Sequence, residues 1–384
     1  VNFEPSEDER LVAETARTFA QRVLAPRAAT RDQQSIFPEA ELAELARLGL
    51  WAATLPPELG GSGLGAVAWT RALIALAQGD AAVAVIASVT TMVAELIARH
   101  AVPAVAAEVL PRAARGELGP LAFALSEPHA GSDPAAMRTT VEALAGGGFV
   151  LRGQKAWITS GDRAGYIVVM ARDPELGPKA FTALLVGGGS PGLSAGRPEE
   201  KMGLRGSSTV SLAFDDVEVP ASHLLGERGA GLRVAFSGLD GGRIGIGAQS
   251  LGIAKAALEA AVGYAGSRVQ FGAPLAAFPA IREMVAADAV RWEAAWTLVM
   301  TAAWRREHGL PCGRQAAEAK LFASECAVAL CDHALQIHGG YGYARETGIE
   351  RLFRDSRVTT IYEGTSEIQR LVIGRALLRE AAGG

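Results

Sequence analysis

Gly119-Pro120-Leu121-Ala122-Phe123-Ala124-Leu125-Ser126-Glu127-Pro128 is where the texture of the chain changes. Before it, apolar positions recur three and four apart over residues 7–23, 39–48, 66–78 and 81–100, the spacing of helices that bury one face. Pro56-Pro57, Gly60-Gly61-Ser62-Gly63, Gly79-Asp80 and Pro103 punctuate them. After it come short β-prone runs at 121–125, 149–159, 166–170, 181–186 and 210–214, bounded by Gly, Pro, Asp and Ser. Long alanine-rich helical patterns return at 231–267, 278–308, 316–338 and 366–382, and four such helices predict a bundle. The order helical, β, helical predicts an α+β chain rather than a doubly wound βαβ fold. Its expected parts are an N-terminal helical domain over 1–118, a middle β domain (barrel or sandwich) over 119–226 and a C-terminal four-helix bundle over 227–384.

Composition bounds the function. The 384 residues are 49% hydrophobic and 20% charged, so the chain is globular and able to bury large cores. A net charge of -4 gives no overall attraction for nucleic acid or an anionic membrane. The late arginines, Arg345, Arg351, Arg354, Arg357, Arg370, Arg375 and Arg379, are interleaved with acids, which predicts solvated or intersubunit pairs. Cys312, Cys326 and Cys331 have no metal-ligand spacing and read as buried thiols of a reducing compartment. The acidic start, Glu4 to Glu9, lacks the basic-then-apolar order of a signal peptide, so cytoplasmic residence is expected. The apolar run 81–98 is broken by Ser88, Thr90, Thr91 and Glu95 and predicts a core helix, with no stable membrane insertion.

Three segments carry candidate chemistry. Residues 123–133 end a strand in turn residues with free N–H groups and hydroxyls, able to hold an anion or an amide-rich ring. In 153–161, Trp157 and Thr159 stand two apart, which on a strand places both on one face. In Ile361-Tyr362-Glu363-Gly364-Thr365-Ser366-Glu367, helical spacing resumes after Ser366, predicting Ser366 as N-cap and Glu367 in the first turn. The β-branched run 357–362 predicts extended chain, and Gly364 permits close approach of a ligand. Singly, each is also an ordinary turn, and a loop glutamate is usually a solvated charge. Gly241-Gly242-Arg243-Ile244-Gly245 lies in a helical pattern without a preceding strand, so it predicts close helix packing rather than a dinucleotide fingerprint.

Together with four further runs, these segments resemble the acyl-CoA dehydrogenase family in letters and in order. The matching runs are 125–128, 157–159, 201–209, Leu239-Asp240 with Arg243, Arg268 with Phe271-Gly272, 336–340 and 361–365. The resemblance implies FAD between the middle domain and the bundle of a homotetramer, with electrons passing to an electron-transfer flavoprotein. It implies that Phe123, Leu125, Ser126, Ser132, Trp157, Ile158 and Thr159 contact the cofactor. Arg268, Phe271, Gln336, Ile337, Gly339 and Gly340 would reach the FAD of a neighbouring subunit, and Thr365, Ser366 and Glu367 would complete the site. Ser132, Asp240, Gly241, Gly242, Arg243, Tyr362 and Gly364 would line the acyl-CoA route. Glu363 becomes the implied catalytic base, removing the proton α to the thioester while hydride leaves the β-carbon. Burial beside an apolar acyl chain should raise its proton affinity, and the nearby helix N-terminus should lower it.

Some relatives carry their base one position before the arginine of the 240–243 run. Here that position is Gly242, which leaves Glu363. Two departures stand out: His129, where a small residue is common, and Pro279, where a glutamine that binds FAD is frequent. The run 239–254 looks most like the short-chain, butyryl-CoA branch, and Ala84 stands where glutaryl-specific relatives place an arginine. Branched short acyl groups and carrier-protein thioesters stay open. So do a flavin oxidase or monooxygenase on the same fold and, more remotely, a DNA-binding flavoprotein.

Overall fold

The structure, a computed structural model, describes residues 4–382. Residues 1–3 and 383–384, the ends of the two terminal regions set out above, lie outside it. The N-terminal helices are α1 (Glu7–Phe19), α2 (Ala25–Gln34), α3 (Glu39–Arg47), α4 (Ala66–Gly79), α5 (Ala81–His100) and α6 (Pro103–Ala114). Asp80 caps α5, its Oδ1 accepting from the Ala82 N–H at 2.8 Å. Two expectations need correction here. Helix continues from α1 through a π turn (Ala20–Leu24) into α2, and Pro103 opens α6 at a first-turn position where its missing N–H costs nothing.

The middle region holds β1 (Leu121–Ala124), β2 (Thr140–Ala143), β3 (Phe149–Thr159), β4 (Tyr166–Arg172), β5 (Phe181–Gly187), β6 (Leu193–Ala195), β7 (Thr209–Val219) and β8 (Leu224–Leu225). They form one mixed sheet in the order β6-β7-β3-β2-β4-β5-β8, with β1 parallel to β4. Alternation gives the sheet two apolar faces. Leu151, Ile158, Val169, Leu184, Val210 and Leu212 close on one another in a core between strands. Val168, Met170, Ala183 and Leu185 turn the other way and pack with Met92, Leu96, Val109 and Leu110 of α5 and α6. The early helices thus hold the sheet from outside.

The C-terminal region comprises α7 (Gly231–Ser267), a hairpin of β9 (Val269–Gln270) and β10 (Ala273–Pro274), α8 (Pro279–Glu307), α9 (Gly313–His338), α10 (Gly340–Tyr343), α11 (Ile349–Arg357) and α12 (Ser366–Ala381). Helices α7, α8, α9 and α12 form the bundle, and α4 and α5 pack against α7 in one continuous core. Helix α5 is long and apolar enough to cross a membrane, yet nearly all of it is buried in that core. Glycines of α7 make the approach close: Cβ atoms at Gly238, Gly242 and Gly245 would press on Leu96, Met92 and Ser88 of α5. Cys326 and Cys331 are buried free thiols, as expected, whereas Cys312, also expected to be buried, is only half-buried.

Residues 357–362 are not extended. Helix α11 runs through Arg357 into a 3-10 turn at Val358–Thr360. Tertiary contacts override the β-branched letters: Asp355 is buried accepting from the Leu204 N–H at 2.6 Å, and Arg354 pairs with Asp32 at 2.6 Å. The Thr359 hydroxyl donates to the Ser356 carbonyl at 2.7 Å, which suits a turn and not a strand.

Candidate active site

The turn from Tyr362 to Thr365 stands between α11 and α12, facing the middle of α7. Glu363 has φ 52° and Gly364 φ 87°, so two successive residues are left-handed. For glutamate that conformation costs on the order of 1–2 kcal/mol and requires outside support. The support is visible. Lys320 Nζ donates to the Gly364 carbonyl at 2.8 Å, and Gln369 Nε2 donates to the carbonyls of Glu363 (3.0 Å) and Gly364 (2.9 Å). The Tyr362 hydroxyl donates to Gln249 Oε1, and Gln249 Nε2 donates to the Ala81 carbonyl at 2.9 Å, tying the turn to α7 and the start of α5. The cap is Thr365, whose Oγ1 accepts from the Ile368 N–H at 3.4 Å. Ser366 is the first helical residue instead, and Glu367 lies exposed in the first turn.

Glu363 as a residue is half-buried, but its Oε2 is shut off from solvent and has no hydrogen-bond partner. That oxygen rests against α7, where a Cβ at Gly242 would lie 2.6 Å from it and 3.0 Å from Met92 Sδ. Gly242 is therefore the bare surface on which the carboxylate sits. Burial pushes the Glu363 pKa above the usual carboxylate value, and the charges of Arg243 and Lys320 pull it part of the way back. Arg243 is steadied by Asp240 at 2.8 Å, and burial holds Lys320 down to about 8. Next to Gly242, the Arg306 guanidinium packs on Gly241 and pairs with Glu95. A buried, unpartnered carboxylate oxygen flanked by two cations can receive a proton from a bound molecule.

Across the middle domain the expected cofactor segments share one neighbourhood. A bulge between Lys155 and Ile158 interrupts the pairing of β3 with β7 and gives Trp157 a φ of 63°. The indole is 64% exposed and Thr159 is half-buried, while Ile158 between them points into the core. The loop ahead of it is clamped from behind. Glu127 turns inward to accept from Lys155 Nζ (2.9 Å) and from the N–H groups of Arg138 (2.6 Å) and Thr139 (3.0 Å). The Ser126 carbonyl accepts from the Ala156 N–H at 3.0 Å, locking loop to strand. Phe123, Leu125 and Ser126 are half-buried beside it and Ser132 is exposed at its end. His129 approaches Glu127 Oε2 at 3.5 Å. An open indole at a bulge, with hydroxyls on either side, fits a planar ring rich in hydrogen-bonding atoms.

The third set lies at another corner of the bundle. Phe271, φ 50° and 97% exposed, tips the β9–β10 hairpin. Arg268 lies 5.5 Å over the Tyr341 ring, and Tyr264 stacks on His338 at 4.2 Å, joining the hairpin to the end of α9. Gln336, Gly339 and Gly340 are exposed there, whereas the Ile337 side chain is in the core, leaving only its backbone to offer. Pro279 starts α8 at its first position. Sequence reasoning missed Lys320, Gln369, Gln249, Lys155 and Met92. Each is a lone residue on a helix or strand, and the only local signal is a charge for Lys320 and Lys155 and an amide for Gln369 and Gln249, while Met92 has none.

Comparison with known proteins matches the order of the three regions. The acyl-CoA dehydrogenase N-terminal domain matches residues 6–117, the middle domain 122–217 and the C-terminal domain 229–378. The short-chain specific acyl-CoA dehydrogenase of Homo sapiens mitochondria is 43% identical over 98% of this chain and 92% of its own. The acryloyl-CoA reductase (NADH) of Anaerotignum propionicum is 40% identical over 99% of this chain and 96% of its own. The butyryl-CoA dehydrogenase structure from Megasphaera elsdenii superposes with a TM-score of 0.96 at 39% identity, covering 98% of this chain and 100% of that one. Solved relatives hold FAD or FADH2. With the N-terminal, middle and C-terminal domains matched in order along its length, the chain belongs to the acyl-CoA dehydrogenase family, enzymes that work with FAD.

Proposed function

We propose that the protein dehydrogenates a short-chain acyl-CoA to the trans-2-enoyl-CoA, with Glu363 as the base. The observation that carries this is the buried, unpartnered Glu363 Oε2, seated on Gly242 with its proton affinity raised by burial. A carboxylate of ordinary pKa, about 4.3, is a poor base at neutral pH, and the upward shift improves its match to the task. Bound FAD supplies the acceptor for the hydride that leaves the β-carbon. Trp157, Thr159, Ser126 and Ser132 would hold it from the middle domain.

Glu363 takes the α-proton, and the charge it loses in doing so is the charge that Arg243 and Lys320 face. Lys320 and Gln369 keep its turn from relaxing, and α7 excludes water from one side of the carboxylate. Arg268, Phe271, Gln336, Gly339 and Gly340 stand at a separate corner, which supports a homotetramer whose FAD sites are completed by a neighbour. We assign the electron acceptor to an electron-transfer flavoprotein and residence to the cytoplasm. The short acyl group rests on the likeness of residues 239–254 to the butyryl branch and on Ala84 in place of an arginine.

Anaerobic titration of the FAD-loaded protein with butyryl-, isobutyryl-, isovaleryl-, octanoyl- and glutaryl-CoA tests this. Butyryl-CoA should bleach the flavin most strongly; no bleaching by any of the five would overturn the reading. The acryloyl-CoA reductase among the relatives marks the reverse direction as a second reading. Faster oxidation of the reduced protein by an enoyl-CoA than reduction by butyryl-CoA would favour it.

A further inference from the structure

We propose that Lys320 is the positioning residue of the catalytic turn: its ammonium holds the Gly364 carbonyl and thereby fixes both the stance and the basicity of Glu363. The inference rests on Glu363 being the base. Lys320 lies in the first half of α9, 0% exposed, among Ala316, Ala319, Ala323 and Ser324. Burying an ammonium is costly, and one hydrogen bond to a carbonyl does not offset it. A methionine or leucine would fill the same space without that penalty, so packing does not explain a charge here. The charge has a target.

Its Nζ meets the Gly364 carbonyl at 2.8 Å, the carbonyl that Gln369 Nε2 also holds at 2.9 Å. Two donors therefore converge on one oxygen, directly after the left-handed Glu363. Gln369 brings hydrogen bonds only. Lys320 also brings a positive charge, which together with that of Arg243 acts on the Glu363 carboxylate. The charged groups facing it are Glu363 ahead of α12, Glu367 on α12, Arg243 on α7 and Glu325 on α9 itself. Glu363 is the strongest of these influences, and Lys320 in turn lowers the proton affinity that burial gives Glu363. With burial holding Lys320 to about 8, it still carries its charge at neutral pH, where the proton is taken. Removing it leaves a base that is looser and protonated to higher pH.

The test uses full-length, FAD-loaded K320M, K320Q and K320R with butyryl-CoA from pH 5.5 to 9. K320M should lose about tenfold or more in kcat with KM nearly unchanged, because the proton acceptor is displaced rather than the substrate site. The acid limb of its kcat/KM profile should move to higher pH, because one of the two cations that lower the Glu363 proton affinity is gone. K320R should restore both, and K320Q, a donor without charge, should leave the limb displaced. A K320M enzyme with the parental acid limb and kcat overturns the proposal, as does a loss confined to thermal stability. Should K320M fail to retain FAD, the contrast between K320Q and K320R decides in the same terms. E363Q separates the two readings. If E363Q still bleaches, the base assignment fails; if it is inert while K320M behaves as the parent, only the role of Lys320 fails.

Discussion

Substituting Gly242 by alanine adds one methyl group at the point where the Glu363 carboxylate rests. The new Cβ would lie 2.6 Å from Glu363 Oε2, 3.1 Å from Glu363 Cδ and 3.0 Å from Met92 Sδ. Ordinary contact needs nearly 3.5 Å, so the carboxylate must retreat by about 0.8–0.9 Å if the helix holds its place. Methionine gives way easily, but the glutamate is held by a turn fastened through Lys320 and Gln369. Misplacement of a reacting group by about 1 Å costs on the order of 100-fold, so G242A should lower kcat roughly 10- to 100-fold, about 1.4–2.7 kcal/mol of barrier. Stability should move the other way or not at all, since alanine favours the interior of α7 over glycine by up to about 1 kcal/mol. Stopped-flow reduction of the FAD-loaded enzyme by butyryl-CoA, read beside thermal unfolding, separates the two effects. Reduction within twofold of the parent, at unchanged stability, would refute the placement of the carboxylate on Gly242.

Trp157→Ala should lower flavin retention after dialysis, measured by absorbance near the visible flavin band, while leaving the unfolding midpoint nearly unchanged because the indole is largely exposed. Lys155→Met takes the ammonium from the buried Glu127, which keeps its two backbone N–H donors, and should destabilise the protein by about 1.5–3 kcal/mol, seen in denaturant unfolding. Asp355 gives a pH signature. Burial pushes its pKa up to about 6 from 3.8, so the folded state binds this proton more tightly than the unfolded state and loses stability as pH rises through about 4 to 6. Asp355→Asn keeps an acceptor for the Leu204 N–H but has no such loss, so its stability relative to the parent should improve by about 2 kcal/mol from pH 4 to pH 7. Parallel stability curves would refute that assignment.

Much of this fold was legible in the sequence because its signals are periodic. The 37 residues of α7 repeat helical spacing long enough to be read directly, and β3 has the predicted bounds from Phe149 to Thr159. The errors have local causes. Pro103 reads as a breaker although it sits in a first turn, where proline is compatible with helix. The Val358-Thr359-Thr360 run reads as strand, but hydroxyl-to-carbonyl bonds and the buried Asp355 hold it in a tight turn. The candidate site was legible in its motifs and illegible in its supports. Glu363, Trp157 and Gly242 stand in recognisable runs, whereas Lys320 lies 43 positions before Glu363 on another helix, and only the fold brings its ammonium to that turn. A lysine in Ala-Lys-Leu-Phe reads as a solvated helix face until packing shows otherwise.

The central claim is that the Glu363 carboxylate takes the α-proton, and replacing one oxygen by an amide tests it with almost no change of shape. Glu363→Gln, purified yellow with FAD, is titrated anaerobically with butyryl-CoA beside the parent enzyme. The account predicts that the parent bleaches while the variant binds the thioester and stays oxidised; bleaching of the variant at a rate near the parent's would contradict it.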